Sequence, residues 1–388
     1  MEESITIIQL IVNAVNKADL KKIFDKDSYE SRRKELKGPR LVILMVIFQL
    51  IKSPYMRGLV RVITDNKKLQ ELAGGEIARS TLSNALAKRP VEQVMEAWQE
   101  LIKVYGQQLE RVGKKFARLG LIDASLIKLS LEAYDWAEYR KKKGAAKLHM
   151  VLDWGLRIPQ QLVMTVGKVH DASKKVKISW QRGWTYVQDR GYLCFTRLKS
   201  ILAAGAHFVV RFKKGVNFQV IERREVDTHK QANGIRLLSD WTVKLEGWPD
   251  TLLRMVSYQL PDRTTIRVLT DRFDLTAENV AQLYKERWKI ENWWKWVKQV
   301  FKIKEPIARN ENGFQIQIIT ALIADLILRV FKKVGKFSGS IYEFVVSCQE
   351  LSLVVSSDLA KGLMSRAFEL IYLFITSFSA VHQSTRAS

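Results

Sequence analysis

Residues 284–298 read YKERWKIENWWKWVK, and the spacing inside this stretch decides how the rest of the chain is read. Wound as a helix at ~100° per residue with Tyr284 at zero, Arg287 falls at about −60°, Glu291 at about −20° and Lys298 at about −40°. The four polar groups share one narrow stripe. An acid among cations is often no more than a solvated ion-pair face. Here Trp288, Trp293, Trp294 and Trp296 flank the stripe, and four indoles are too costly to expose on a lone surface helix. Part of this helix must be buried or face a ligand. Across 281–304, seven basic residues accompany two acidic ones, a balance suited to a phosphate backbone held around one carboxylate.

The whole chain leans the same way. Its 388 residues carry 64 Lys plus Arg against 40 Asp plus Glu, a formal charge of +24. That surplus points to a polyanion, most often nucleic acid, and 47% hydrophobic residues with only seven prolines exclude a disordered or collagenous chain. The apolar runs Leu41–Ile51 and Phe368–Val381 fall short of the ~20 residues a bilayer needs, so no membrane partner is expected. The acidic start MEESITIIQL predicts no signal peptide. Cys194 and Cys348 stand alone, which supports neither zinc nor a disulfide and fits a reduced cytoplasm. GxxxxGK[ST] and GxSxG are absent, so neither ATP nor a serine nucleophile is expected.

Working outward from the helix, residues 1–115 carry helical periodicity, clearest in Leu41–Ile51, Tyr55–Ile63 and Val91–Leu109. Inside it, Asn66–Ala73, a Gly74-Gly75 break and Thr81–Lys88 capped by Ser80 form a helix-turn-helix pattern, with Arg79, Asn84, Lys88 and Arg89 expected on the exposed face. An ordinary helical bundle with a tight turn explains the same pattern. Residues 116–206 mix strands and helices: Phe116–Ile122 and Ile127–Leu131 around a turn at Asp123–Ser125, then Leu148–Leu152, Gln161–Val166, a helix from Ser173, the strand Thr185–Gln188 and a helix near Phe195–Ala204. Residues 207–270 read almost wholly as strand. After Thr276 the chain is helical, with one long helix over about Ala277–Phe301, then Ile316–Phe331 and Tyr342–Leu353 and another helix near the C-terminus. The fold class is α/β.

Several acids follow apolar strands. Asp123 ends LGLI, Asp153 follows Leu148–Leu152, Asp189 follows Thr185–Gln188 and Asp271 follows Ile266–Leu269. Any of them can be a turn-starting cap. His170-Asp171 invites an acid–base or metal reading, although one such pair is more often a turn. Basic runs at Arg140–Lys143 and at Arg211, Lys213 and Lys214 read equally as solvated patches or DNA contacts.

Tyr284, Arg287, Glu291 and Lys298 stand at the Y-(2)-R-(3)-E-(6)-K spacing of the bacterial insertion-sequence transposases of DDE type, in the insertion-sequence-four group, which this chain resembles over roughly residues 115–330. Asp123-Ala124-Ser125 is similar to that family's first block, and Asp189-Arg190-Gly191-Tyr192 matches all four letters of its second, which favours Asp189 over Asp271 and Asp153. The resemblance implies a ribonuclease-H-like core over 116–206 and 273–335, split by a β-strand insertion at 207–272. An N-terminal helical DNA-binding region (1–115) and a C-terminal helical region (336–388), a possible dimerisation element, flank it. It implies Asp123, Asp189 and Glu291 as ligands of two Mg²⁺ or Mn²⁺ ions, with Tyr284, Arg287 and Lys298 on DNA phosphates. Arg190, Trp294, Lys295, Arg79 and Lys88 are further expected DNA contacts. The implied activity is cut-and-paste transposition through a hairpin, by a homodimer on terminal inverted repeats and target DNA, in a cytoplasmic, nucleoid-associated setting. The rivals are a ribonuclease-H-like nuclease without strand transfer and a non-catalytic DNA-binding regulator.

Overall fold

β-branched and aromatic residues recur at alternate positions between Leu119 and Thr270, and there the chain builds one sheet of eleven strands. The computed structural model describes residues 7–25, 36–51, 54–72, 74–111, 113, 118–140, 143–228, 231–232, 234–351 and 371. They fall into two compact units. One, built on the sheet, comprises Arg111–Lys128 and Glu138–Lys295; the other, helical, comprises Met1–Glu110, Leu129–Ala137 and Trp296–Ser388.

The strands are β1 (Leu119–Leu129), β2 (Glu138–Arg140), β3 (Lys143–Asp153), β4 (Ile158–Val166), β5 (Thr185–Gln188), β6 (His207–Arg211), β7 (Phe218–Arg224), β8 (Gln231–Ala232), β9 (Ile235–Leu245), β10 (Trp248–Gln259) and β11 (Thr265–Thr270). Their order is β2-β3-β1-β5-β6-β11-β10-β9-β7, with β4 pairing β3 and β8 pairing β9. Only β1, β5 and β6 run parallel to one another among the described pairings: Ile122 lies opposite Gln188, and Gln188 opposite Val210. The strand at His207–Arg211 thus belongs beside β5, while β11, β10, β9 and β7 extend the sheet as an antiparallel series.

Two expectations are corrected here. The turn at Asp123–Ser125 does not form, because β1 runs unbroken from Leu119 to Leu129. No helix begins at Ser173 either; residues 171–183 are turns and bends that lead to β5.

Helix α8 (Phe195–Ala203, after the seven helices of the N-terminal region) lays Leu198 and Ile201 against Ile122, Phe208, Val210, Val243, Met255 and Leu269. Side chains alternate across a strand, so Arg254 points to the other face from Met255. There it pairs with Asp240 (2.7 Å), donates to the Arg272 carbonyl at 2.9 Å and bonds the Leu275 carbonyl. This buried cation fixes the approach to α9 (Ala277–Glu286), which Thr276 caps by accepting from the Asn279 N–H at 3.2 Å. The single helix expected over Ala277–Phe301 is two: α9 ends at Glu286 and α10 spans Trp288–Val300. Arg287 N–H bonds the Tyr284 carbonyl and Ile290 N–H the Arg287 carbonyl, a tighter i→i−3 pattern at the joint.

In the helical unit the seven helices are α1 (Ile7–Lys17), α2 (Leu20–Phe24), α3 (Gly38–Leu50), α4 (Met56–Thr64), α5 (Lys67–Leu72), α6 (Arg79–Lys88) and α7 (Val91–Gly106), joined by α11 (Glu311–Val334) and α12 (Ile341–Leu351). α11 packs on α3, α6, α7 and α12, so helices from both chain ends share one core. With 24 residues it is long and apolar enough to cross a membrane, a length the sequence reading missed, yet most of its surface is buried against these neighbours. Lys302 closes the end of α3 by donating to the Phe48 (2.9 Å), Gln49 (3.3 Å) and Ile51 carbonyls, and burial pulls its pKa down to about 8. The apolar run at Phe368–Val381 lies outside the described residues apart from Ile371, as do Phe116, Ala117, Lys141 and Lys142.

Candidate functional site

The site grows from the carboxyl end of β5 and the part of β1 beside it. Leu119, Leu121 and Ile122 are buried, and Gly120 is required by its neighbour: a Cβ there would lie 2.7 Å from the Tyr186 ring. That close seating brings β1 against β5. Because Ile122 faces Gln188 across the pair, the next residues fall side by side: Asp189 just past the end of β5 and Asp123 within β1. Asp189 opens a 3-10 turn, Arg190–Tyr192, whose Tyr192 N–H bonds back to the Asp189 carbonyl at 3.0 Å.

The α9–α10 joint supplies the other groups. Tyr284 is buried and its hydroxyl donates to Asp189 Oδ1 at 3.1 Å; burial raises its pKa, so it remains a donor. Arg287, also buried, places Nη2 2.7 Å from Glu291 Oε1 and Nη1 3.8 Å from Asp123 Oδ1. Its Nε is buried without a partner. Burial pushes the Asp123 pKa up to about 7, against the pull of Arg287, with Glu291 and Asp189 adding to the rise. Three acids therefore feel one another, with one guanidinium to offset them.

Other expected residues are placed as follows. Arg190 and Lys295 are exposed beside Asp189 and along α10. Trp294 is a correction: it is 4% exposed and packs edge-to-face on Trp293 at 5.1 Å, so an indole expected at DNA serves the core. Trp288, by contrast, is 53% exposed. Lys298, in the helical unit, is half-buried and lines a cavity with Leu50, Ile51, Phe301, Lys302 and Gln349. Gly74 and Gly75 do make the turn before α6, both with positive φ. Arg79, Asn84 and Lys88 are exposed on α6, which starts after Ala78 with no side-chain cap; the cap expected from Ser80 does not form. Arg89 is buried, not exposed, and donates to the Leu36 carbonyl at 3.0 Å.

The competing acids stand at the opposite end of the sheet. Asp271 accepts from Phe208 N–H at 2.9 Å and bonds His207 Nδ1 at 2.7 Å, at the start of β6. Asp153 ends β3 beside the start of β1, where Trp154 N–H bonds the Leu119 carbonyl; it accepts from Leu156 N–H and pairs with Arg111 at 3.2 Å. Neither joins Asp123.

Two further sets of neighbours flank the site, Arg211 and Asp171 from runs already singled out in the sequence and His149 from none. Register sets Arg211 next in line after Asp123 and Asp189, since it follows Val210, and its charge reaches Tyr284 and Tyr258. Buried His149 bonds the Tyr192 hydroxyl at 3.0 Å, and Asp171 lies near it with Lys147 at 3.2 Å. Burial holds the His149 pKa down to about 4, so the ring is neutral at pH 7. A lone histidine on an apolar strand carries no spacing signal; only the register of β3 with β4 and the turn after Asp189 bring it here.

Two Asp and one Glu are hard oxygen donors, the ligand type of Mg²⁺ and Mn²⁺. Among the described residues no three such side chains enclose a single point, and Arg287 stands between Asp123 and Glu291. Asp123, Glu291 and Asp189 nonetheless lie near enough to raise the Asp123 pKa beyond what burial does, and their donor chemistry fits a divalent cation.

A family model described as the transposase DDE domain matches residues 114–326. A Sinorhizobium fredii protein named as a transposase is 31% identical over 274 residues, 69% of this chain and 76% of its own length. A Geobacillus stearothermophilus protein named as a transposase for an insertion sequence element is 24% identical over 253 residues, 64% of this chain and 66% of its own. A third, from Synechocystis and similarly named, is 25% identical over 267 residues, 68% of this chain and 74% of its own.

Proposed function

The chain belongs to the transposase DDE-domain family, and from that premise we propose that it cleaves the ends of an insertion sequence and joins them to target DNA. One observation carries this reading. Asp123 on β1 and Asp189 just past β5 stand side by side on adjacent parallel strands, and the α9–α10 joint brings Tyr284, Arg287 and Glu291 to the same place.

The core reads as ribonuclease-H-like. In its support, β4, β3 and β1 precede two parallel strands, β5 and β6, in the spatial order β4-β3-β1-β5-β6, and the antiparallel series β11-β10-β9-β7 reads as the insertion. On this reading the core keeps β6, and the insertion begins after Arg211. The Y-R-E-K group of the insertion-sequence-four transposases is assigned to Tyr284, Arg287, Glu291 and Lys298.

Asp123, Asp189 and Glu291 are the residues that would hold two Mg²⁺ or Mn²⁺ ions; such ions activate an attacking oxygen and stabilise a leaving one. The chain's own groups do the rest. Tyr284 keeps Asp189 oriented through its hydroxyl. Arg287, with one N–H uncommitted, and exposed Arg190 and Lys295 bind phosphate oxygens. In the first step a water oxygen bonds to phosphorus and the 3′-oxygen leaves with a proton, which gives a free 3′-hydroxyl and a 5′-phosphate. In the second that 3′-hydroxyl attacks another phosphodiester and displaces its 3′-oxygen, so the number of ester bonds is conserved and no ATP is needed. A hairpin between the two strands, release by cut-and-paste, a homodimer on the paired ends and α6 on duplex DNA through Arg79 and Lys88 complete the proposal, in a nucleoid setting with no membrane partner.

The test mixes the full chain with a labelled transposon end, a target plasmid and Mg²⁺. Joined product is expected. Cleavage without joining would favour a nuclease, and binding without cleavage a regulator.

A further inference from the structure

Asp189 passes directly into the turn Arg190–Tyr192, so the seating of that turn sets where its carboxylate points. Two contacts seat it. Behind Gly191, Asp171 comes so near that a Cβ would lie 2.9 Å from its Oδ2. Gly191 is outside the positive-φ glycines, so its backbone does not demand glycine; the nearness of Asp171 does. Ahead of it, Tyr192 is 1% exposed and its hydroxyl meets His149 Nδ1, while His149 Nε2 lies 3.2 Å from Thr165 Oγ1.

Asp171 cannot easily yield. Lys147 Nζ holds its Oδ1 at 3.2 Å and donates at the same time to the Val169 carbonyl at 2.7 Å. Its own loop is closed by Ser173 N–H on the His170 carbonyl and Ala172 N–H on His170 Nδ1. A charged pair this shielded, with side chains 14% and 28% exposed, is a costly way to fasten a loop.

We propose that Asp171 is a positioning residue: held by Lys147, it is the stop against which the Gly191 backbone rests, and this stop aims the Asp189 carboxylate at a divalent ion. The inference rests on the reading of Asp189 as a metal-holding group. Groups that orient a ligand from outside the ligand set typically change metal affinity by about ten- to a hundredfold.

The experiment titrates Mn²⁺ into the full chain by calorimetry, with thermal midpoints measured alongside, for wild type, Gly191→Ala, Asp171→Ala, the double variant and Asp189→Ala. Gly191→Ala is expected to weaken Mn²⁺ binding on the order of tenfold at an unchanged midpoint, since its methyl displaces the turn without unfolding it. Asp171→Ala, which removes the stop, is expected to weaken binding by a similar factor, and in the double variant the two losses do not multiply, because either change alone unseats the same turn. A Gly191→Ala protein that binds Mn²⁺ like wild type while Asp189→Ala does not would overturn the positioning role and spare the metal reading. Wild-type affinity in Asp171→Ala, a double-variant loss equal to the product of the two single losses, or a loss that tracks a falling midpoint overturns it equally. Wild-type binding by Asp189→Ala would bring down the metal reading first, and this inference with it.

Discussion

The two ends of the parallel strands treat their acids in opposite ways. At the amino end of β6, Asp271 has a backbone N–H at 2.9 Å and a histidine at 2.7 Å, both local donors. Where β5 ends beside β1, Asp123 and Asp189 have each other, Glu291 across from them, a tyrosine hydroxyl and a shared guanidinium. An acid met by enough donors is a fastener. Acids left short of positive charge keep capacity for a ligand, and the folded chain bears their repulsion until one arrives.

The largest effect should come from removing the short-changed acids. Asp123→Ala, Asp189→Ala and Glu291→Ala are each expected to lower end cleavage by roughly a thousandfold or more, about 4 kcal/mol in the barrier, while DNA binding in a gel-shift assay persists. Should Asp189→Ala stay active and Asp271→Ala lose activity, the comparison is inverted and the second aspartate is misassigned.

A smaller effect lies in pH. The folded Asp123 pKa, about 7, stands above its unfolded value near 3.8, so the protonated form favours folding. Its contribution is fully present below about pH 4 and is lost as pH rises through 7, on the order of a few kcal/mol. Without divalent ions, Asp123→Asn should flatten this decline in a urea-denaturation series from pH 5 to 8. An equal slope in both proteins would show that Asp123 is adequately compensated.

The smallest effect belongs to the satisfied acid. Asp271→Asn keeps one acceptor for Phe208 and loses the charge beside His207, a cost of about 1 kcal/mol in stability with cleavage intact. A drop in cleavage at unchanged stability would erase the distinction between the two ends.

How much of this was legible depends on range. Tyr284, Arg287 and Glu291 are neighbours on a helix, and helical spacing carried them together even though the helix breaks at Arg287; nothing in the local propensities of KERWK marks that joint. Asp123 was readable as an acid after an apolar strand, but its local habit of starting turns suggested a break, whereas β1, with β3 as its other neighbour, continues past its pairing with β5 to Leu129. The choice among Asp153, Asp189 and Asp271 rested on a four-letter match, because which end of the sheet each occupies is a matter of topology. Trp294 illustrates the limit of a flank argument: four tryptophans implied burial or a ligand, and only packing tells which ring takes which part. His149 and Asp171 reach the site through tertiary contacts alone.

The helical unit has a consequence for the order in which the protein can mature. α3 is buried on nearly every side, and Gln49 near its end bonds the Gln317 carbonyl of α11, 268 residues further along. On a ribosome adding about 5–20 residues per second, α3 waits roughly 15–60 s for that partner to emerge. During that interval α1 and α2 can cover part of α3, but the side that α11 takes has no native cover until the sheet-built unit has been made. The nascent chain is therefore most exposed to self-association, and most in need of a chaperone, at its earliest-made part.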